Sequence, residues 1–179
     1  MYQFKYILND KDYWEFNKYY ISNARAGKIM LWIIRLFIVI ACINNIISTL
    51  KNPEEEYDLM FAIILIFLYA IVAVIFFFIA KILILLITKI YIKLMKKDGK
   101  LPYGSDVYMQ FDDDFFVENT NETEIKTKYE SVEKIVVYKN YTYIYISSIQ
   151  AFIIPSFVFE TKEQKSEFLT FINHKIGKI

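Results

Sequence analysis

Three consecutive aspartates, Asp112–Asp114, offer oxygen ligands of the kind a calcium ion takes. A calcium loop spaces its ligands, bends at a glycine and closes on a distal glutamate. Here the carboxylates are adjacent and sit between Phe111 and Phe115, so a hairpin turn is the expectation. His174 is the single histidine and Cys42 the single cysteine, which excludes a multi-histidine metal site and an intramolecular disulfide framework. With no second histidine and no glycine elbow, a nucleophile–base pair has no candidate members. His174 falls near the end of a terminal helix, where positive charge suits the dipole. The four glycines form no phosphate-cradling loop. The reading is therefore a chain with no catalytic residues, no cofactor and no metal.

Nucleic acid is an equally poor fit. The chain carries a net charge of +1, and residues 104–179 hold eight lysines against twelve carboxylates, the wrong sign for phosphate binding. What the composition does favour is lipid. Of 179 residues, 56% are hydrophobic and 18% aromatic, with mean hydropathy +0.30, and the apolar mass is clustered. Richness in Ile, Lys, Asn, Tyr and Phe suggests the coding bias of an AT-rich bacterium.

Two segments meet the requirement of roughly 20 apolar residues for crossing a hydrocarbon core. Residues 28–50 are the first, interrupted by Arg35 and the pair Asn44–Asn45; residues 59–80 are the second and carry no charge. The first is not a signal peptide, because an aromatic, mixed-charge stretch precedes it and no small-residue cleavage site follows. Between them "KNPEEEYD" (51–58) is acidic, with Pro53 placed to start the second helix. Lys18, Arg25 and Lys28 precede the first span, and a lysine-rich stretch follows the second. The positive-inside rule then puts both termini in the cytoplasm and the acidic loop outside. The "NET" (121–123) and "NYT" (140–142) glycosylation patterns become coincidences in that topology.

Arg35 lies seven residues past Lys28, about 10 Å along a helix, so its side chain can snorkel to the inner headgroups. The alternative is an intramembrane contact with a partner protein, or with Asn44 or Asn45 of a neighbouring copy. Asn44 and Asn45 fall toward the outer end, where water or helix–helix hydrogen bonds satisfy them. Past Ala80 the helix is expected to continue. At 100° per residue, Lys81, Lys89, Lys93, Lys96 and Lys97 occupy one half of the wheel, and Leu83, Ile84, Ile87, Tyr91, Leu94 and Met95 the other. The lysines would face anionic headgroups; alternatively, the apolar half packs on the protein's own cytoplasmic domain or on a sister subunit.

Gly99 and "LPYGSD" (101–106) break the helix, and a period of two follows. Strands are expected in "DVYMQF", "FFVENT", "ETEIKTKYE", "VEKIVVYK", "YTYIYIS" and "QAFIIPSFVF", with Tyr141, Tyr143 and Tyr145 sharing a face. Pro155 lacks a ladder donor and marks an edge, bulge or strand end. Thr161 and Gln164 form a capping box for a last helix whose apolar face is Phe168, Leu169, Phe171, Ile172 and Ile176. At the front, "QFKYIL" reads as a strand and "DKDYWEFNKYYI" as an aromatic helix. This piece either joins the carboxy-terminal sheet or lies at the membrane interface, its aromatics serving as packing residues and interfacial anchors.

Phe4, Tyr6, Leu8, Asp12, Tyr13, Phe16 and Tyr19 at the front, a two-span hairpin, then Tyr145, Ile154, Pro155 and Phe159 before a final helix form an order that resembles the YcxB-like family of small bacterial membrane proteins. The resemblance implies a carboxy-terminal domain similar to a pleckstrin-homology-type barrel, and no reaction. Family members often have a basic residue after the proline. This chain has Ser156–Phe157, so a role for that position in binding anionic lipid or a partner is not carried over.

The expected fold is thus an α+β membrane protein: a two-helix transmembrane hairpin plus a small cytoplasmic antiparallel β-sheet or barrel, PH-like, closed by a carboxy-terminal helix. Its parts are residues 1–27, 28–98 and 99–179. The expected function is binding a protein partner from the bacterial inner membrane, as an adaptor or as self-immunity against a toxin or bacteriocin. The contrasting reading is a homo-oligomeric channel or transporter component lined by Arg35, Asn44 and Asn45. Membrane-interface candidates are Arg35, Lys81, Lys89, Lys93, Lys96 and Lys97; partner-contact candidates are Asn44, Asn45, Pro155 and Phe157.

Overall fold

The computed structural model describes residues 1–51, 59–97, 106–121 and 123–177. The expected turn at Pro53, the helix break at Gly99 and residues 101–105, and Glu122 of the "NET" pattern lie outside them. The chain forms two compact units, one of Met1–Tyr19 with Lys89–Ile179 and one of Tyr20–Thr88.

In the first unit β1 (Tyr2–Ile7) opens a four-stranded antiparallel sheet with β2 (Asp106–Phe111), β3 (Phe115–Asn119) and β4 (Glu124–Lys128), in that order. The front strand therefore joins the carboxy-terminal sheet. Tyr2 pairs with Phe111 and Ile7 with Asp106, so residues 8–105 are an insertion within what is otherwise a β-hairpin. Asp112–Asp114 make the β2–β3 turn, closed by the Asp112 N–H donating to the Phe115 carbonyl at 2.9 Å.

A second antiparallel sheet holds β5 (Lys134–Tyr138), β6 (Tyr141–Tyr145) and β7 (Ala151–Pro155), with β6 in the centre. Of the sheet or barrel expected, the described residues form two antiparallel sheets, and the closed barrel implied by the family resemblance is not formed. A 3-10 turn at Tyr129–Ser131 interrupts the chain between β4 and β5. Between β1 and β7 the link is a side chain, the Tyr6 hydroxyl donating to the Ile153 carbonyl at 2.9 Å.

Alternation explains the core. Phe4, Tyr6, Val107, Met109, Phe111 and Phe116 occupy every second position and are buried. They meet α4 (Lys162–Lys175) through Phe168, whose ring centroid lies 5.2 Å from Phe4 and 4.9 Å from Phe111. Each such fully buried ring stabilises the fold by about 1.5–3 kcal/mol. The capping box holds α4 in register: Thr161 Oγ1 accepts from the Gln164 N–H at 3.1 Å, and Gln164 Oε1 accepts from the Glu160 N–H at 2.7 Å.

All five β6 residues are buried, because each face has its own cover. The tyrosine face is covered by α1 (Asp10–Asn23): Phe16 and Tyr19 each bring a ring centroid within 5.3 Å of Tyr143. Asp12 fixes this helix at its first turn. One carboxylate oxygen accepts from the Asn9 N–H at 2.8 Å, and the other accepts from the Tyr141 hydroxyl at 2.9 Å. Asp12→Ala would remove the acceptor of the buried Tyr141 hydroxyl and of the less buried Asn9 N–H, and should cost about 1–3 kcal/mol. Thermal unfolding of the full chain in detergent checks this; a loss below about 0.5 kcal/mol would show the pairing to be dispensable.

The second unit contains α2 (Arg25–Leu50) and most of α3 (Leu59–Lys97), which runs unbroken through the lysine-rich extension. At 1.5 Å per residue α3 is about 58 Å long. Both helices are long and apolar enough to cross a membrane.

Candidate functional site

The lysine-bearing end of α3 builds the most distinctive site. Lys89, Ile92 and Lys96 follow at spacings of three and four and so share a face. Ile92 is buried in the core of the first unit. Beside it, the Lys96 ammonium pairs with both Asp10 oxygens at 3.0 Å. The Lys89 ammonium lies 6.0 Å from the centre of the Trp14 ring. The Lys96 hydrogen bond holds the Asp10 carboxyl below its usual pKa.

The alternative in which the apolar half packs on the sheet domain is thus reversed at Ile92, which enters the core from the lysine half. Lys89 and Lys96 of the lysine half meet α1, while Leu83, Ile87, Tyr91 and Leu94 stay exposed and Ile84 and Met95 are half-buried. The residue responsible is Ile92, an apolar side chain set among lysines that reaches the core.

Between α1 and this end of α3 lies a cleft of about 1020 Å³. Among the described residues its basic side chains are Lys11, Lys89, Lys93, Lys96 and Lys97, and Asp10 is its one carboxylate. Trp14, Ile90, Ile92 and Leu94 give it an apolar wall. Apart from Lys96, these lysines have no carboxylate within ion-pair distance among the described residues. Lys81, on the same helix, is half-buried and does not line the cleft.

Arg35 is engaged elsewhere. In place of reaching along its own helix toward headgroups, its Nε–H donates to the Phe77 carbonyl of α3 at 3.1 Å. Its guanidinium carbon sits 4.3 Å from the Phe77 ring centre and 5.5 Å from that of Trp32. The hydrogen bond and the two ring contacts make Arg35 a clamp between the helices, which spacing along one helix could not reveal. Asn45 turns back on α2, its amide donating to the Ala41 carbonyl at 2.8 Å, and Asn44 is exposed. Neither meets Arg35 within the chain.

The two remaining candidates separate. Pro155 ends β7 opposite Tyr141 and is buried, so it is withdrawn from the accessible surface. Phe157, two residues on, is 68% exposed. Val137 on β5 and Ile149 in the β6–β7 loop, at the other end of that strand pair, are exposed apolar side chains as well.

Glu118 was not singled out by sequence. It lies on β3 between Met109 and Ile125, is buried, and neither carboxylate oxygen has a hydrogen-bond partner. Desolvation alone pushes its pKa up to about 7. A signal was available: Phe116 points inward, and period two puts Glu118 on the same side.

No curated protein and no solved structure matches the chain. One family model does, that of the YcxB-like proteins, over residues 111–172. The matched stretch begins at the last residue of β2 and ends within α4, so it holds Tyr145, Ile154, Pro155 and Phe159 but neither β1 nor the two apolar helices. Over residues 111–172, then, the chain is similar to the YcxB-like proteins, as its tail motif and closing helix suggested.

Proposed function

We propose that the protein is a non-enzymatic binding protein of the bacterial inner membrane, with α2 and α3 crossing the bilayer and the sheet domain in the cytoplasm. The observation that carries this reading is the outward apolar surface of the helices. Only 11% of the most apolar window of α2 is buried, and none of that of α3. Trp32, Phe37, Phe67 and Phe78 all stand exposed. Left in water, such surface would drive aggregation. Topology adds support. Ile7 pairs with Asp106, so the intervening chain must cross a membrane an even number of times, as a two-span hairpin does. The four-plus-three strand order with a closing helix supports a pleckstrin-homology-type reading of the domain. Exposed Phe157, just past the end of β7, supports a protein partner at that point of the domain.

Single-cysteine labelling tests the topology. In a Cys42→Ser background, a cysteine replacing Glu55 should react with an impermeant maleimide on intact cells, and one replacing Lys162 only after lysis. The reverse pattern, or labelling of both from outside, would sink it. Crosslinking in native membranes followed by mass spectrometry tests the partner. Stoichiometric recovery of a second protein supports the binding role, whereas self-crosslinked copies alone would favour a homo-oligomeric assembly.

A further inference from the structure

We propose that the cleft between α1 and the end of α3 holds the headgroup of an anionic phospholipid, its phosphate on Lys89, Lys93 and Lys97 and its first acyl carbons along Ile90 and Leu94. This rests on the membrane placement above. Charge is the first argument. Asp10 is already occupied by Lys96, which leaves Lys11, Lys89, Lys93 and Lys97 around one cavity with no counter-ion among the described residues. Several ammonium groups held together repel one another, and an anion relieves that repulsion.

The second argument is the mixed chemistry of the walls. A free phosphate would need only the lysines. Here Trp14 stands beside them, and Ile90 and Leu94 make an apolar wall that continues into the exposed apolar half of the same helix. An amphipathic ring beside cations and a hydrocarbon-facing edge is the pattern of the headgroup region. About 1020 Å³ is room for a headgroup and the start of its chains. Lys96 takes no part in binding; it fixes the cleft by tying α3 to Asp10.

The two tryptophans allow a clean test. In the full-length Trp32→Phe variant, Trp14 is the sole tryptophan and reports the cleft; in Trp14→Phe, Trp32 reports the helical hairpin. Each is reconstituted into phosphatidylcholine vesicles in which acyl-brominated phosphatidylglycerol or acyl-brominated phosphatidylcholine is the quencher.

Trp14 should be half-quenched at about a tenfold lower mole fraction of the glycerol lipid, since each lysine near the surface contributes severalfold. Lys89→Gln/Lys93→Gln/Lys97→Gln should abolish that preference, and excess inorganic phosphate should leave it intact in the parent. Equal quenching of Trp14 by the two lipids overturns the inference, as does loss of the preference in phosphate, which would assign the cleft to a free anion. Quenching of Trp32 by both lipids shows the hairpin in the bilayer whatever Trp14 reports. Failure to quench Trp32 would instead remove the membrane reading itself.

Discussion

Glu118→Met should stabilise the protein by about 3 kcal/mol more at pH 8 than at pH 4. The carboxyl is buried on β3 without a partner, and desolvation raises its pKa from 4.5 to about 7. Below pH 4.5 the group is protonated in both folded and unfolded states and contributes no pH dependence. Between pH 4.5 and 7 the unfolded chain gives up its proton while the folded chain keeps it, so stability falls as pH rises. Above pH 7 both states are ionised and the full penalty is present, about 3 kcal/mol for a shift of this size. Methionine has similar length and no charge, and its neighbours Met109 and Ile125 are apolar. Urea unfolding of the full chain in detergent across this pH range is the measurement. Parallel profiles for parent and variant would show that Glu118 finds a partner in solution.

Gly27→Ala should be the most damaging single-methyl addition in the helical unit. Gly27 lies in the first turn of α2, folded against the end of α1. A Cβ there would overlap the Tyr20 carbonyl oxygen and lie 2.8 Å from its carbon and 2.9 Å from the Ile21 Cα. These are backbone atoms, which cannot swing aside as a flexible side chain would. The bend at Ala24, where the backbone is extended (φ −67°, ψ 143°), must open instead. A cost of about 3 kcal/mol or more is expected. The neighbouring Ala26→Gly, which tests only helix propensity, should cost about 1 kcal/mol. Similar melting temperatures for the two variants would mean that the bend accommodates a side chain.

Much of this was readable from residue order. The apolar runs gave both long helices, period two gave the strands, and Thr161 with Gln164 marked the start of α4. What sequence could not supply was the choice of neighbour. Amphipathicity divided the end of α3 correctly into lysine and apolar halves, yet which half meets the sheet domain depends on Ile92, Trp14 and Asp10 coming together from distant positions. Arg35 illustrates the same limit, since its acceptor is a backbone carbonyl on another helix. Barrel closure was expected from family resemblance, but closure is a matter of pairing between first and last strands. Here a tyrosine hydroxyl makes that join.

The insertion of residues 8–105 between paired strands has a consequence for how such a chain is made. During synthesis β1 appears first, with an apolar face and an unpaired edge, and its partner arrives only after both long helices have been produced. In a chain whose hairpin crosses the bilayer, a single-crossing error leaves β1 on one side and β2 on the other. The four-stranded sheet then lacks its first strand, Phe4 and Tyr6 lose their places in the core, and the edge of β2 stays open. The correctly threaded chain alone completes its domain. On the proposed membrane placement, completion of the four-stranded sheet thus depends on correct threading of the hairpin.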